Sequence, residues 1–125
     1  MTKILCVEDN ADNLMMLQRR LSRRGFEVTI SMNGAECVEW AKTLQPDVIV
    51  MDLNLPGVDG CEATRRLKNQ PETKEIPIIV LTADPKDKSR EKALAAGCDD
   101  FALKPIDFEG LIGKIQSLLS RSAKP

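Results

Sequence analysis

The sequence has no histidine and no tyrosine among its 125 residues. Without histidine, the chain has no Ser-His catalytic triad, no histidine-ligated zinc site and no phosphohistidine of its own. The four cysteines lack the C-x-x-C spacing of zinc sites and dithiol redox motifs. Each of them lies inside or beside an apolar run, which is typical of buried thiols in a reducing compartment.

Long apolar runs and a strong charge imbalance are also missing. No stretch approaches the roughly 18 consecutive apolar residues that span a bilayer, and Met1 leads almost directly into a strand-like run. Neither membrane insertion nor secretion is therefore predicted, and the expected location is the cytoplasm.

The net charge of -1 argues against direct nucleic-acid binding. The one basic cluster is either a solvated helix face or a docking surface for an anionic partner, and it consists of Arg19, Arg20, Arg23 and Arg24.

The remaining composition is that of one ordinary globular domain. Hydrophobic residues make up 42% of the sequence and charged residues 30%. A chain of this length can bury roughly two-thirds of its unfolded surface. No repeat, linker or low-complexity segment divides the sequence, so we expect a single domain over residues 1–125.

Short apolar runs alternate with amphipathic helical segments along the chain. Residues 4–7, 48–51 and 78–81 are continuously apolar, as expected for central strands that are covered on both faces. Residues 26–31 alternate between apolar and polar side chains and predict an edge strand, and residues 101–104 predict a second, shorter one.

Five helices are predicted between and after these strands. The first carries a stripe of leucines at positions 14, 17 and 21 and ends at Gly25, and the last begins after Asp107 with a stripe from Phe108 to Leu119. The other three cover about residues 34–44, 60–69 and 86–96, the last of them ended by Gly97.

The alternation predicts an α/β fold with a doubly wound, five-stranded parallel sheet and helices on both of its faces. Right-handed crossovers leave few topologies for such a sheet. The flavodoxin-like order 2-1-3-4-5 puts both predicted edge strands at the edges, and ligands bind beyond the carboxyl ends of the strands.

Chemically competent side chains follow four of the predicted strands. They are Glu8 and Asp9 after the first strand, Asp52 after the third, Thr82 after the fourth and Lys104 after the fifth. Because the carboxyl ends of parallel strands meet at one rim, we expect these side chains to lie together. Clustered carboxylates repel one another and need a shared proton or a cation.

A magnesium ion is the predicted cation, with Mn²⁺ as a substitute. Mg²⁺ takes oxygen ligands octahedrally and commonly binds one or two carboxylates, several waters and a phosphate. The predicted ligands are Asp9 and Asp52, with Glu8 binding through water and the backbone carbonyl of Asn54 as a further ligand. With the metal present, Asp52 could attack phosphorus as an oxygen nucleophile while Lys104 and Thr82 bind the phosphoryl oxygens.

Several motifs resemble the receiver domains of response regulators, over almost the whole chain. The runs that carry the resemblance are Val7-Glu8-Asp9-Asn10, residues 51–60 (MDLNLPGVDG), Leu81-Thr82-Ala83 and Lys104-Pro105. The resemblance implies a CheY-like fold and a stand-alone response regulator of two-component signal transduction. It also implies a phosphorelay role, in which Asp52 accepts a phosphoryl group from a phosphohistidine of a sensor kinase or histidine phosphotransfer protein.

The resemblance assigns further roles by position. The Lys104–Pro105 peptide bond should be cis. Phe101 should be an aromatic switch residue that changes rotamer when Thr82 moves toward the phosphoryl group, although a core phenylalanine is the alternative. Asn54 and Asp84, two positions beyond Asp52 and Thr82, should tune self-dephosphorylation.

The expected output is a phosphorylation-dependent change in binding to a downstream protein, through the fourth helix, fifth strand and fifth helix. The arginine-rich first helix and the loop at Pro105 should meet the phosphodonor.

The chain is expected to be a monomer or a weak phosphorylation-dependent dimer. It is not expected to act as an enzyme on other molecules, because its chemistry is its own aspartyl phosphorylation and dephosphorylation. The sequence does not identify the kinase, the target, the pathway or the lifetime of the phosphorylated form.

Three other readings use the same features. A haloacid-dehalogenase-type phosphatase also uses an aspartate nucleophile, but its acid would occupy position 54, where this chain has Asn54. A phosphorylation-independent interaction module would not need the acidic and lysine set. A flavodoxin would need a hydroxyl- and glycine-rich phosphate loop where this chain has Glu8 and Asp9.

Overall fold

The computed structural model describes residues 1–83 and 88–122, of which residues 88–90 and 122 contribute backbone only. The strands are β1 Lys3–Val7, β2 Glu27–Ser31, β3 Val48–Asp52, β4 Ile78–Thr82 and β5 Asp100–Leu103. The helices are α1 Ala11–Arg23, α2 Gly34–Leu44, α3 Gly60–Lys68, α4 Lys88–Ala96 and α5 Phe108–Ser122. The predicted start of the fourth helix at residue 86 lies outside the described residues.

All strand pairs are parallel, and the sheet has the order β2-β1-β3-β4-β5. The predicted fold class and strand order are therefore confirmed. The fifth strand begins one residue earlier than predicted and ends at Leu103. Lys104 thus lies just beyond the strand, where its backbone N–H still donates to the carbonyl of Thr82 at 2.9 Å.

The sheet separates two apolar cores because successive strand residues point to opposite faces. Ile4, Cys6 and Val50 pack with α1 and α5 on one face. Leu5 and Met51 pack with α2, α3 and α4 on the other. Both faces of β1, β3 and β4 are covered, which explains why their sequences are continuously apolar.

Side-chain caps begin three helices close to the carboxyl ends of the preceding strands. Asn10 accepts a hydrogen bond from the backbone N–H of Asn13 at 3.0 Å. Asn33 and Asp59 do the same for the third residue of α2 and α3, at 2.7 and 2.8 Å. A cap of this kind stabilises a helix start by about 1 kcal/mol. The first cap leaves only Glu8 and Asp9 between it and the end of β1.

Two predicted helix stops are confirmed by backbone geometry. Gly25 follows α1 with φ of 93° and Gly97 follows α4 with φ of 106°, a conformation that favours glycine. After α2 the same left-handed conformation is taken by Gln45, at φ of 50°. Because no glycine stands at that position, this left-handed residue could not be predicted from the sequence.

The cysteines are free thiols, and Cys6, Cys37 and Cys98 are buried while Cys61 is partly exposed. Burial raises the pKa of Cys6 and of Cys37 to about 12. Both thiols are therefore uncharged at neutral pH, and the two cysteines pack as apolar core residues. In the described part of the chain, no helix is both long enough and apolar enough to cross a membrane.

Gly60 brings the start of α3 against the end of β3, and a substitution at this position tests the close packing there. A Cβ atom at this position would lie 2.5 Å from the carbonyl oxygen of Asp52 and 2.8 Å from the Cα of Leu53. We expect Gly60→Ala to lower the free energy of unfolding by about 2 kcal/mol. The control is Gly113→Ala in α5, where nothing lies within 4 Å of the added methyl group. It should stabilise the chain by about 0.5–1 kcal/mol through helix propensity. Urea denaturation measures both, and equal effects would contradict the close packing at Gly60.

Candidate functional site

The polar side chains at the strand ends are brought together, as the strand order predicts. Glu8 and Asp52 are almost fully buried, with 2% and 4% of their surface exposed, and Thr82 is also buried. Asp9 is exposed beside them. Buried carboxylates need hydrogen-bond donors or cations, so the contacts of Glu8 and Asp52 decide what the site can do.

Lys104 supplies the positive charge at this rim. Its Nζ lies 3.0 Å from Oε1 of Glu8 and 3.0 Å from Oδ2 of Asp52. The lysine side chain is 23% exposed, whereas its two partners are buried. One ammonium group is thus shared by carboxylates that lie 96 and 52 residues away in the sequence.

The environment favours the charged form of Lys104. Partial burial by itself lowers the pKa of the ammonium group. The hydrogen bonds that it donates to Asp52 and Glu8, together with the negative charges of these carboxylates, outweigh this effect, so the pKa is raised above 10.5. The pKa of Lys104 is therefore higher in the folded chain than in the unfolded chain. The contribution of these contacts to the free energy of unfolding is fully present below the unfolded-state pKa. It is lost as the pH rises through the folded pKa.

The other carboxylate oxygens accept backbone hydrogen bonds. Oε2 of Glu8 accepts from the N–H of Asn10 at 3.2 Å. Oδ1 of Asp52 accepts from the N–H of Asn54 at 3.2 Å. These bonds hold the carboxylates in fixed orientations before any ligand binds.

The carboxylates also fit a divalent cation. Glu8, Asp9 and Asp52 each offer an oxygen atom within 4.8 Å of the others. Hard oxygen ligands of this kind suit Mg²⁺ or Mn²⁺, and the exposure of Asp9 leaves room for the waters that Mg²⁺ retains.

Thr82 and Phe101 lie on the same face of the sheet. The register pairs Val80 with Phe101 and Thr82 with Leu103, and residues two apart along a strand share a face. Phe101 is only partly buried, and its ring lies 5.8 Å from the Nζ of Lys114. It is therefore not a core phenylalanine.

The resemblance predicts two further features, and the described residues include only one of them. The Lys104–Pro105 peptide bond is cis, as the resemblance implies. Asp84 lies outside the described residues, so its predicted role in dephosphorylation stays a prediction.

The arginine cluster lies beyond the part of α1 that borders the acidic site. Next to Glu8 and Lys104 is a groove of about 230 Å³, and α1 lines it with Asn13 and Met16 rather than with arginines. The arginines begin one turn farther along α1, where Arg20 stacks on the ring of Phe108 at 4.2 Å. Asn13 and Met16 of α1 and the loop at Pro105 thus border the acidic site, and the arginines lie farther along α1. The predicted contact of this end of the molecule with the phosphodonor stays a prediction.

The sequence did not identify the backbone contacts that support Asp52. Gly60 is one of them, since only the absence of a side chain lets α3 begin against the carbonyl of Asp52. In the sequence, this close contact is indicated by a glycine that directly follows the cap residue Asp59. Asn10 has a similar part in holding Glu8, because it caps α1 with its side chain and donates its backbone N–H to Glu8.

Comparison with known proteins agrees with this geometry. Residues 4–116 match the response regulator receiver domain. The chain is 39% identical to the phosphate regulon transcriptional regulatory protein PhoB of Rhizobium meliloti, over 98% of this chain and 54% of PhoB. It is 33% identical to protein PilH of Pseudomonas aeruginosa, over 96% of this chain and 99% of PilH. The chain spans about half the length, or less, of several curated relatives that it matches.

A solved structure gives the same result. The receiver domain of a sensor histidine kinase from Pseudomonas aeruginosa PAO1 matches with a TM-score of 0.90 and 35% identity, over 95% of this chain and 98% of that one. That structure contains a magnesium ion coordinated in its active site cleft. The present chain belongs to the response regulator receiver domain family, whose members act in two-component signalling.

The shared lysine predicts a stability effect. Lys104→Met should lower the free energy of unfolding by about 3 kcal/mol at pH 7 without metal, because Glu8 and Asp52 lose their shared cation. Lys114→Met is the matched control, since Lys114 contacts Asp100 at 3.6 Å and both side chains are more exposed. The control should cost about 0.5 kcal/mol or less. Urea denaturation measures the stability of both variants. If Lys104→Met unfolds with the native free energy, the buried carboxylates do not depend on this lysine.

Proposed function

We propose that Asp52 accepts a phosphoryl group from a phosphohistidine of a sensor kinase or histidine phosphotransfer protein, and that this changes binding to a downstream protein. The observation that carries the proposal is the position of Asp52. It is buried, fixed by a backbone N–H, paired with Lys104 and grouped with two further carboxylates. A structural aspartate would not need a cation and a metal-binding set around it.

The proposed transfer replaces one bond to phosphorus by another. A bond forms between an Asp52 carboxylate oxygen and phosphorus while the P–N bond of the phosphohistidine breaks, and the imidazole keeps the bonding electron pair. Lys104 is 3.0 Å from Asp52 and would pair its ammonium group with a phosphoryl oxygen. The hydroxyl of Thr82 would donate a hydrogen bond to another phosphoryl oxygen.

The proposed metal ligands are Asp9, Asp52 and the backbone carbonyl of Asn54, with Glu8 binding through water. When bound, Mg²⁺ or Mn²⁺ supplies positive charge that offsets the charge of the phosphoryl oxygens and of the carboxylates. Asp9 supports this assignment, because it is exposed and adds a third carboxylate oxygen within 4.8 Å of the others. The magnesium ion in the related kinase receiver domain is further support.

The proposed switch links Asp52 to the edge of the sheet. Thr82 would move toward the phosphoryl group, and Phe101 would change rotamer on the same face of the sheet. Leu103 is exposed on that face, so the rearrangement would reach a surface that a partner can contact. The proposed output surface is α4, β5 and α5.

The remaining assignments follow from this role. The partners would be the phosphodonor and a downstream protein, with no direct contact to nucleic acid or membrane. The chain would be cytoplasmic, and a monomer or a weak phosphorylation-dependent dimer. It would catalyse only its own phosphorylation and dephosphorylation, whereas a phosphatase acting on other molecules would hydrolyse a phosphate monoester repeatedly.

A small acyl phosphate with Mg²⁺ should add one phosphoryl group to the chain, since such a donor needs no docking surface. Intact-mass spectrometry measures the adduct. Asp52→Asn removes the nucleophile and should abolish the gain, and chelation of the metal should slow it by at least about tenfold. An Asp52→Asn chain that gains the mass at the native rate would refute the assignment of the acceptor.

Asn54 should affect the lifetime of the phosphorylated form. It is exposed two residues beyond Asp52, on the path that we propose for the water that attacks phosphorus and regenerates the carboxylate. Asn54→Leu should slow the decay of the phosphorylated chain several-fold by excluding that water. Asn69→Leu, at the end of α3, is the control and should decay at the native rate. Phosphate release measures both, and an equal or faster decay of Asn54→Leu would remove this role from Asn54.

A further inference from the structure

Lys114 and Phe101 meet around the free edge of the sheet. Ala102 of the edge strand β5 packs on the face that α5 covers, so its neighbour Phe101 starts on the opposite face. Lys114 belongs to α5, yet its Nζ lies 5.8 Å from the centroid of the Phe101 ring. Residues from opposite faces can approach in this way only past the outer side of β5. The ring therefore leans outward over the edge and away from β4.

Asp100 holds the ammonium group of Lys114 beside this edge. Its Oδ1 lies 3.6 Å from Nζ of Lys114 and also accepts a hydrogen bond from the backbone N–H of Phe101 at 2.8 Å. The carboxylate thus connects the lysine to the strand residue that carries the ring. An ammonium group within about 6 Å of a ring centroid is attracted by the negative face of the ring.

The outward position of the ring has open space next to it. A depression of about 270 Å³ lies between β5 and α5, and Phe101, Gly110 and Lys114 are among its lining residues. Gly110 contributes no side chain that would fill this space. The sequence has no tyrosine, so the aromatic residue at this position has no hydroxyl group that could form a hydrogen bond. Packing and the contacts of the aromatic face therefore decide where the ring lies.

We propose that Lys114 is a positioning residue, which holds the Phe101 ring at the edge of the sheet and thereby opposes the switch. The inference rests on the proposed function, in which Phe101 changes rotamer when Thr82 moves toward the phosphoryl group. Thr82 ends the neighbouring strand β4, on the face from which Phe101 starts. A ring that moves toward Thr82 leaves the ammonium group, so the contact stabilises only the outward position. We call the set Asp100, Phe101 and Lys114 the lysine latch.

The latch sets how strongly the resting chain disfavours the inward ring. A partly exposed contact of an ammonium group with a ring changes such an equilibrium about two- to threefold. If phosphorylation favours the inward ring, linkage requires that a variant with more of the inward ring binds a phosphoryl mimic more tightly. The gain in affinity equals the gain in the inward fraction while that fraction is small.

Four variants separate the latch from other effects of charge. Lys114→Gln removes the ammonium group, whereas Lys114→Arg keeps a cation that also binds aromatic faces. Asp100→Asn keeps an oxygen for the N–H of Phe101 but loses the charge that holds Lys114. Lys42→Gln is the control, because it removes a surface charge from α2, beside the opposite edge of the sheet.

The first experiment titrates each full chain with beryllofluoride at saturating Mg²⁺ and measures the affinity by calorimetry. Lys114→Gln should bind about two- to threefold more tightly than the native chain, and Asp100→Asn should also bind more tightly. Lys114→Arg and Lys42→Gln should stay within about 1.5-fold of the native affinity at 0.15 M salt. The sign is diagnostic, because loss of a positive charge by itself weakens the binding of an anion and loss of a negative charge strengthens it.

The second experiment observes the ring itself by fluorine NMR. The chain has three phenylalanines, so fluorophenylalanine gives three signals, and Phe101→Leu identifies the one from position 101. The change of that signal between H₂O and D₂O reports the exposure of the ring. Beryllofluoride should reduce the exposure in the native chain. The resting Lys114→Gln chain should already show part of this reduction, and Lys114→Arg should restore the native exposure.

The possible outcomes distinguish this inference from the function on which it rests. Native or weaker affinity of Lys114→Gln for beryllofluoride, or an unchanged exposure of its Phe101 ring, would refute the latch and leave the proposed function intact. Opposite effects of Lys114→Gln and Asp100→Asn on the affinity would indicate long-range electrostatics and also refute the latch. A native chain that binds no beryllofluoride would refute the proposed function, and the latch with it.

Discussion

Lys104 is shared by Glu8 and Asp52, and the site depends on this arrangement. Each carboxylate is almost fully buried, and each lies 3.0 Å from the same ammonium group. Burying either charge without a partner would cost several kcal/mol. Yet one lysine does not compensate these two carboxylates and the nearby Asp9, so the site favours a further cation. This excess of negative charge suits a divalent metal, and Lys104 lies beside the carboxylate that we propose as the phosphoryl acceptor.

The fold holds these groups with short connections and close backbone contacts. Parallel strands deliver the polar residues to one rim, and helix caps such as Asn10 and Asp59 start helices next to it. Gly60 brings α3 directly against the carbonyl of Asp52. Because the supporting contacts are largely backbone hydrogen bonds and close packing, we expect the site to be rigid on the side of β1 and β3. The proposed movement is accordingly assigned to Thr82 and the edge strand β5.

The sequence predicted the parts of this structure that depend on local pattern. Continuous apolar runs identified the central strands, and Glu8, Asp52 and Lys104 were identified because polar residues directly follow such runs. The sharing of Lys104 between two carboxylates could not be predicted, since it depends on exact side-chain positions across three strand ends. The same limit applies to the arginines. The contact of Arg24 with Glu109 joins residues 85 apart, and helix periodicity cannot show which part of α1 borders the groove.

A crystal structure of the chain with Mg²⁺ and beryllofluoride tests the central claim most directly, because beryllofluoride on a carboxylate imitates an acyl phosphate. The account predicts beryllofluoride on Asp52 and a metal bound by Asp9, Asp52 and the carbonyl of Asn54, with metal–oxygen distances of about 2.0–2.1 Å. Glu8 should reach the metal only through water, and Nζ of Lys104 should contact a fluoride. A metal held elsewhere, or beryllofluoride absent from Asp52 while Lys104 keeps both of its carboxylate contacts, would contradict the account.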